Sequence, residues 1–202
     1  MKVAIIGVGN VGRALATALR KAGHEILFGA RSPDTQKPEQ HSIPDAVRAA
    51  EASILAVPFP AAADVIAAAR GFEGKILIDA TNPLGMMPEG LGLTMGYTTS
   101  GAERIAAQAP GAFVFKAFNQ TGWENMQDAA AYAARPVMFV AGDDTARKRV
   151  VLTLVADAGF EAVDAGPLRT ARLLEPLAML WIELGRKRGF GSDFAVTLQR
   201  KG

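Results

Sequence analysis

Val3-Ala4-Ile5-Ile6-Gly7-Val8-Gly9-Asn10-Val11-Gly12-Arg13-Ala14-Leu15-Ala16 is the stretch that decides the fold of this 202-residue chain. A short apolar run with β-branched residues ends at Gly7, glycines follow at G-x-G-x-x-G spacing, and an alanine-rich helical pattern opens directly behind them. The spacing alone is a weak signal, because glycine-rich turns are common. The setting carries the weight: a strand that feeds a tight turn and then a helix gives each glycine a physical task. Gly7 permits the turn, Gly9 lets the backbone come close to a pyrophosphate, and Gly12 lets the helix lie tightly on the strand. The amino end of that helix presents unpaired N–H groups and roughly half a positive charge, a seat for phosphate. Asn10 and Val11 are expected to contribute through their backbone only. The plain alternative is a structural turn with no ligand.

Outward from this segment, short β-rich runs alternate with helical stretches, the pattern of a parallel sheet covered on both faces. Strands are expected at Lys2 to Ile6, Glu25 to Gly29, Ser53 to Val57, Lys75 to Asp79, Ala112 to Lys116, Val137 to Ala141 and Glu161 to Asp164. Their runs of Val, Ile, Leu and Phe suit strands buried on both faces. Helices are expected at Val11 to Lys21, Ile43 to Ala50, Ala61 to Ala69, Ala102 to Gln108, Asp144 to Ala158 and Leu168 to Arg188. The class is therefore α/β: a mostly parallel, doubly wound sheet of the NAD(P)-binding Rossmann type. Residues 1–166 form the dinucleotide-binding domain, and 167–202 a small helical extension packed on it. Pro176 should kink the last helix or divide it in two. Its row Leu173, Leu177, Leu180, Trp181 and Leu184 needs a partner surface, which is core first and a homodimer interface as the alternative. Pro83 to Gly101, rich in Gly, Met and Thr, is long for an idle connection and is a candidate lid or rim.

Composition narrows the chemistry. Half of the residues are apolar and 21% are charged, as in an ordinary globular domain. With no cysteine, a disulfide framework, a thiolate nucleophile and a cysteine-ligated metal are excluded, and His24 and His41 offer little else for a metal. The opening apolar run breaks at Gly7, too soon for a signal peptide or a membrane span, so a cytoplasmic location with no membrane partner is expected. Net charge is only +2, and the basic residues Arg186, Lys187 and Arg188 sit where a helix ends. Nucleic acid is not indicated as a partner.

The tip of the second strand selects the dinucleotide. An NAD-selective site usually carries Asp or Glu there, about 20 residues after the loop. Here the corner reads Phe28-Gly29-Ala30-Arg31-Ser32, with no carboxylate. Arg31 can stack on adenine and Ser32 can donate to a 2′-phosphate, which argues for NADP(H). A charge-assisted hydrogen bond of roughly 1.5 to 3 kcal/mol would give about ten- to a hundredfold preference for the phosphorylated cofactor. Lys37 is near enough in sequence to assist. An exposed loop arginine is the plain alternative.

Ligands of open α/β sheets lie outside the carboxyl ends of the strands. Three segments end strands at that edge: Ala56-Val57-Pro58-Phe59-Pro60, Asp79-Ala80-Thr81-Asn82-Pro83-Leu84 and Lys116-Ala117-Phe118-Asn119. With the glycine loop, Gly29 to Ser32 and Gly159-Phe160 to Gly166-Pro167-Leu168, these motifs resemble the NADPH:coenzyme F420 oxidoreductase family, which includes the cytosolic domains of the STEAP metalloreductases. The resemblance implies hydride transfer between NADPH and coenzyme F420 or a related flavin, a small-molecule redox acceptor stacked on the nicotinamide. It also implies that Val57, Pro58 and Phe59 line the nicotinamide ribose with Asn82 and Pro83 nearby, and that Ala117, Phe118 and Asn119 form the floor of the acceptor pocket. Hydride transfer between two cofactors needs parallel rings with reacting atoms about 3 to 3.5 Å apart and no side-chain acid, so no catalytic residue is assigned.

The remaining polar candidates read more simply. His24 suits a turn, His41 lies in a polar loop, and Asp79 should organise the turn that follows it. Lys116 is either functional or, as a strand-end lysine, solvated. Trp123 and Trp181 read as packing residues. A non-catalytic NADP(H)-binding redox sensor would keep the glycine loop and Arg31 without needing the Asn82 and Phe118 edge. Hydroxyacid- and imine-reducing relatives of the nucleotide domain carry a large helical domain, for which the stretch after Gly166 is too short unless a partner subunit closes the site.

Overall fold

A computed structural model of the protein describes residues 1–201. One eight-stranded sheet runs through it, built from β1 (Lys2–Ile6), β2 (Glu25–Ala30), β3 (Gln40–Ser42), β4 (Ala52–Leu55), β5 (Ile76–Asp79), β8 (Phe113–Lys116), β9 (Val137–Gly142) and β10 (Glu161–Gly166). Its spatial order is β10-β9-β8-β5-β4-β1-β2-β3. All neighbours pair in parallel except β8 with β9, so the sheet is mostly parallel and α/β, as expected. The chain leaves β1 toward β2 and β3, then returns to place β4 on the other side of β1. That reversal opens a crevice above the carboxyl ends of β1 and β4, where ligands of such sheets bind.

Helices cover both faces. α1 (Asn10–Lys21), α5 (Trp123–Gln127) and α6 (Thr145–Asp157) pack on one, where Val3, Ile5, Leu15, Leu19, Val151 and Leu154 are buried together. α2 (Ile43–Ala49), α3 (Ala62–Ala69), α4 (Gly101–Gln108) and α7 (Ala171–Lys187) cover the other, around Ala4, Ile6, Val47, Ile66, Leu77 and Ile105. Alternation along β1 thus feeds two cores, the reason for its unbroken apolar composition.

Four elements escape a reading of the sequence, and each is short and weakly patterned. β3 is three polar residues at the sheet edge, so His41 lies in a strand rather than a loop. Pro83 to Gly101 contains a hairpin, β6 (Leu84–Met87) and β7 (Gly90–Leu93), whose Gly-rich strands show no alternation. α5 is little more than one turn.

The last helix corrects two expectations. After a 3₁₀ turn at Leu168–Thr170, α7 runs as one element through an exposed Pro176, so of the expected kink or division the division does not occur. Its buried face is Ala171, Leu174, Glu175 and Ala178, not the expected leucine row: Leu173 is 69% and Leu180 is 53% exposed. The inward stripe is thus the less hydrophobic one. Trp181 stacks on Phe194 at 5.0 Å and donates to its carbonyl, fastening the residues after α7. None of the described helices is long and apolar enough to cross a membrane.

Candidate functional site

The glycine loop crosses the crevice mouth. Gly7 has φ +122° and donates its N–H to the Gly29 carbonyl at 3.1 Å, locking the turn to the tip of β2. A Cβ at Gly7 would collide with the Ala56 carbonyl, and one at Gly12 with the carbonyl of Gly7. At Gly9 a Cβ would meet nothing within 4 Å. Two glycines are thus required by the protein itself, while the third faces open space. Gly9 is also the N-cap of α1, and no side chain caps that end, so the first-turn N–H groups are left for a ligand.

A cleft of about 580 Å³ lies against this loop. Gly7 and Gly9 form one wall, Arg31 and Ser32 the wall at the tip of β2, and Val57 and Pro58 the wall beyond β4. These six expected residues are brought together around one space. Arg31 and Ser32 are exposed, and Arg31 is in none of the ion pairs among the described residues. Asn10, Val11 and Gly12 occupy the first turn of α1 behind the loop, exposed, half-buried and buried respectively. Lys37 lies off the cleft, in a second depression beside Arg13 and Arg20, with Nζ 3.4 Å from Asp34. Phe59 opens a 3₁₀ turn and packs toward Gly101 at the amino end of α4.

Farther along the edge the expected floor is built differently. Phe118 has φ +63°, which turns its ring inward: it is 0% exposed and meets Phe160 edge-on at 6.4 Å. Ala117 is also buried, so these two side chains belong to the core and do not form the expected pocket floor. Asn119 Nδ2 donates to Asn82 Oδ1 at 3.0 Å and to the Leu174 carbonyl at 3.1 Å, while Asn82 Nδ2 donates to the Asn119 carbonyl at 2.9 Å. Asn82 is the half-exposed member of that pair, with the buried Pro83 behind it.

Lys116 is neither solvated nor at the surface. Its Nζ donates to Asp79 Oδ2 at 2.8 Å, to Glu175 Oε1 at 2.8 Å and to the Thr81 carbonyl at 2.7 Å, and all three side chains are within 1% of fully buried. Glu175 in turn accepts from the N–H groups of Gly101 and Ala102, so α7 caps α4. Asp79 accepts from the Thr81 N–H, the turn expected for it. Three buried charges survive here because every donor of the ammonium is used and both carboxylates are paired. Glu175 escapes sequence reasoning; the one signal is a carboxylate on the stripe of Ala171, Leu174 and Ala178. His24 joins Asp157 at 2.9 Å, a structural tie between the start of β2 and the end of α6. No group of three or more His, Cys, Asp or Glu among the described residues could hold a metal.

Comparison with known proteins follows this geometry. The profile of the family described as NADP oxidoreductase, coenzyme F420-dependent, matches residues 2–83. A crystal structure of a candidate F420-dependent NADP-reductase from Arthrobacter sp. FB24 is 31% identical and superposes with a TM-score of 0.89 over 99% of this chain and 100% of that one. A hypothetical protein, SMa0349, from Sinorhizobium meliloti is 28% identical, with a TM-score of 0.73 over 85% of this chain and 88% of that one. Metalloreductase STEAP3 of Rattus norvegicus is 30% identical over 187 residues, 89% of this chain but 37% of the metalloreductase, so the chain spans little more than a third of that relative.

Proposed function

The chain belongs to the coenzyme F420-dependent NADP oxidoreductase family, and from that premise we propose that it binds NADP(H) in the crevice above β1 and β4 and passes hydride between it and coenzyme F420 or a related flavin. The observation that carries the reading is the pairing of an uncapped helix end behind Gly9, where the backbone lies open, with Arg31 and Ser32 across the same cleft. The N–H groups of the first turn of α1 hold the pyrophosphate, with the positive helix end supplying the field. Arg31 and Ser32 hold the 2′-phosphate, and no carboxylate stands at that corner to favour the unphosphorylated ribose.

Bound there, NADPH supplies the hydride and the redox electronics. What the protein contributes is position. Val57 and Pro58 line the side of the ribose beyond β4, Phe59 follows them in the 3₁₀ turn, and Asn82, held by Asn119, sets the far end of the track. A rigid edge of this kind keeps two flat rings parallel without an acid or base.

The test is a pair of titrations. Arg31→Glu is expected to weaken NADP(H) about ten- to a hundredfold while leaving NAD(H) nearly unchanged. Equal losses for both nucleotides would remove Arg31 from phosphate recognition. Absorbance followed with NADPH against F420, FMN, FAD and ferric chelates identifies the acceptor, and no turnover with any of them would replace the enzyme reading with a redox sensor.

A further inference from the structure

Three side-chain amides stand in line behind the carboxyl edge of the sheet. Gln120 and Asn119 are buried, and Asn82 at the end of the line is half-exposed. The backbone of Phe139, within β9, starts the line: its N–H donates to Gln120 Oε1 at 3.0 Å, and its carbonyl accepts from Gln120 Nε2 at 2.9 Å. A backbone N–H only donates and a carbonyl only accepts, so the two ends of the Gln120 amide are not interchangeable. The second Nε2 hydrogen goes to Asn119 Oδ1 at 3.0 Å, which leaves Asn119 Nδ2 to donate to Asn82 Oδ1 and to the Leu174 carbonyl. Asn82 is thereby held with Oδ1 on the Asn119 side chain and Nδ2 on the Asn119 carbonyl. Every side-chain N–H of Gln120 and Asn119 is used inside this relay, whereas Asn82 keeps one N–H.

The sheet register places the end of the line. Leu55 of β4 pairs with Asp79 of β5. The segment that lines the cleft with Val57 and Pro58 therefore leaves the sheet beside the segment that leads to Asn82, at the spacing of neighbouring strands, about 4.8 Å. The order β2-β1-β4-β5 sets the direction of a dinucleotide. With the phosphorylated ribose at the tip of β2 and the pyrophosphate over β1, the nicotinamide half extends over β4 and β5. That ring carries one hydrogen-bonding substituent, its carboxamide. We propose that Gln120 is a positioning residue, which sets through Asn119 the corner at which Asn82 offers its remaining N–H to that carboxamide. An unheld asparagine amide has two orientations related by a half-turn; the relay leaves one, and with it one seat for the ring. Gln120 also has a structural task, since β8 and β9 pair only through Phe115 and Lys116 and the Phe139 backbone is bonded by Gln120 instead.

Because the role of Gln120 rests on the NADP(H) reading, two ligands are titrated: NADPH, and adenosine 2′,5′-bisphosphate, which keeps the 2′-phosphate and lacks the nicotinamide half. Calorimetry gives both dissociation constants for the native chain, Gln120→Met, Asn82→Ala and the double variant. Gln120→Met keeps the length of the side chain and removes both polar ends. It is expected to weaken NADPH about tenfold and to leave the bisphosphate within about twofold. In the Asn82→Ala background the same exchange should change NADPH by less than about twofold, because the group it acts through is gone. Equal losses for the two ligands, no loss of NADPH, or a tenfold loss that persists without Asn82 overturns the role of Gln120. Should Gln120→Met not fold, the side-chain amide resonances of the native chain decide: NADPH is expected to shift those of Gln120 and the bisphosphate is not, and equal responses overturn the relay. A native chain that binds the bisphosphate at least as tightly as NADPH overturns the relay and leaves the 2′-phosphate site standing. Binding of neither overturns both.

Discussion

Gly9 and Gly12 sit three residues apart and meet opposite surroundings. A methyl group at Gly12 strikes the Gly7 carbonyl, whereas at Gly9 it enters free space. In an exposed helix, alanine would gain about 1 kcal/mol over glycine, but the collision outweighs that gain. Gly12→Ala is expected to lower stability by roughly 1 to 3 kcal/mol. Gly9→Ala should leave stability within about 0.5 kcal/mol and weaken NADPH at least about tenfold, because only the bound pyrophosphate needs that space. Thermal unfolding and a fluorescence titration of both variants check the contrast; a destabilised Gly9→Ala with intact affinity would contradict it. Spacing made these glycines legible, since turn chemistry is local. Lys116 was not legible, because its three acceptors come from residues 79, 81 and 175, and nothing adjacent to it in sequence marks them.

Among the elements, α7 owes its place to polar ties. Arg172 makes a two-pronged contact with Glu103 at 2.9 and 2.6 Å, and Glu175 caps α4 one turn farther along. The Arg172 guanidinium holds the Glu103 carboxyl below the usual glutamate range. A carboxylate with its folded value depressed stabilises the protein above its unfolded value and loses that contribution as pH falls through the folded one. Glu103→Gln is therefore expected to be less stable than the native chain by up to about 1 kcal/mol at neutral pH, since the pair is partly exposed. The gap should close as pH falls below about 4. Denaturant unfolding at both conditions measures it, and a gap independent of pH would mean the loss is not ionic. Periodicity found α7 but chose its leucine-rich stripe as the inner one. The inner stripe instead joins Ala171 to the second core and Glu175 to Lys116, partners from distant segments that hydrophobicity does not record.

For the whole molecule, the sheet reversal at β1 and β4 places the glycine loop, the β2 tip and the Val57 segment around one crevice. The far side of that arrangement is closed by the chain after Gly166. Leu168 and Ala171 belong to the second core, and Glu175 neutralises Lys116 and caps α4. We propose that 1–166 and 167–202 form one cooperative unit. A chain ending at Gly166 is expected to lose its cooperative thermal transition, because it leaves a buried network open at a cost of roughly 3 to 5 kcal/mol, a large share of a typical domain's stability. A sharp transition in that fragment would show the extension to be dispensable. By itself the sequence determined the strands of the nucleotide half, the glycine turn and the cation at the β2 tip, all of which rest on periodicity and on contacts between near neighbours. Only the tertiary structure decided that Phe118 turns into the core, that Asn82 pairs with Asn119, and that Lys116 is buried between two carboxylates. Those outcomes depend on which distant segments meet, and burial and pairing are properties of the assembled surfaces rather than of any one stretch of chain.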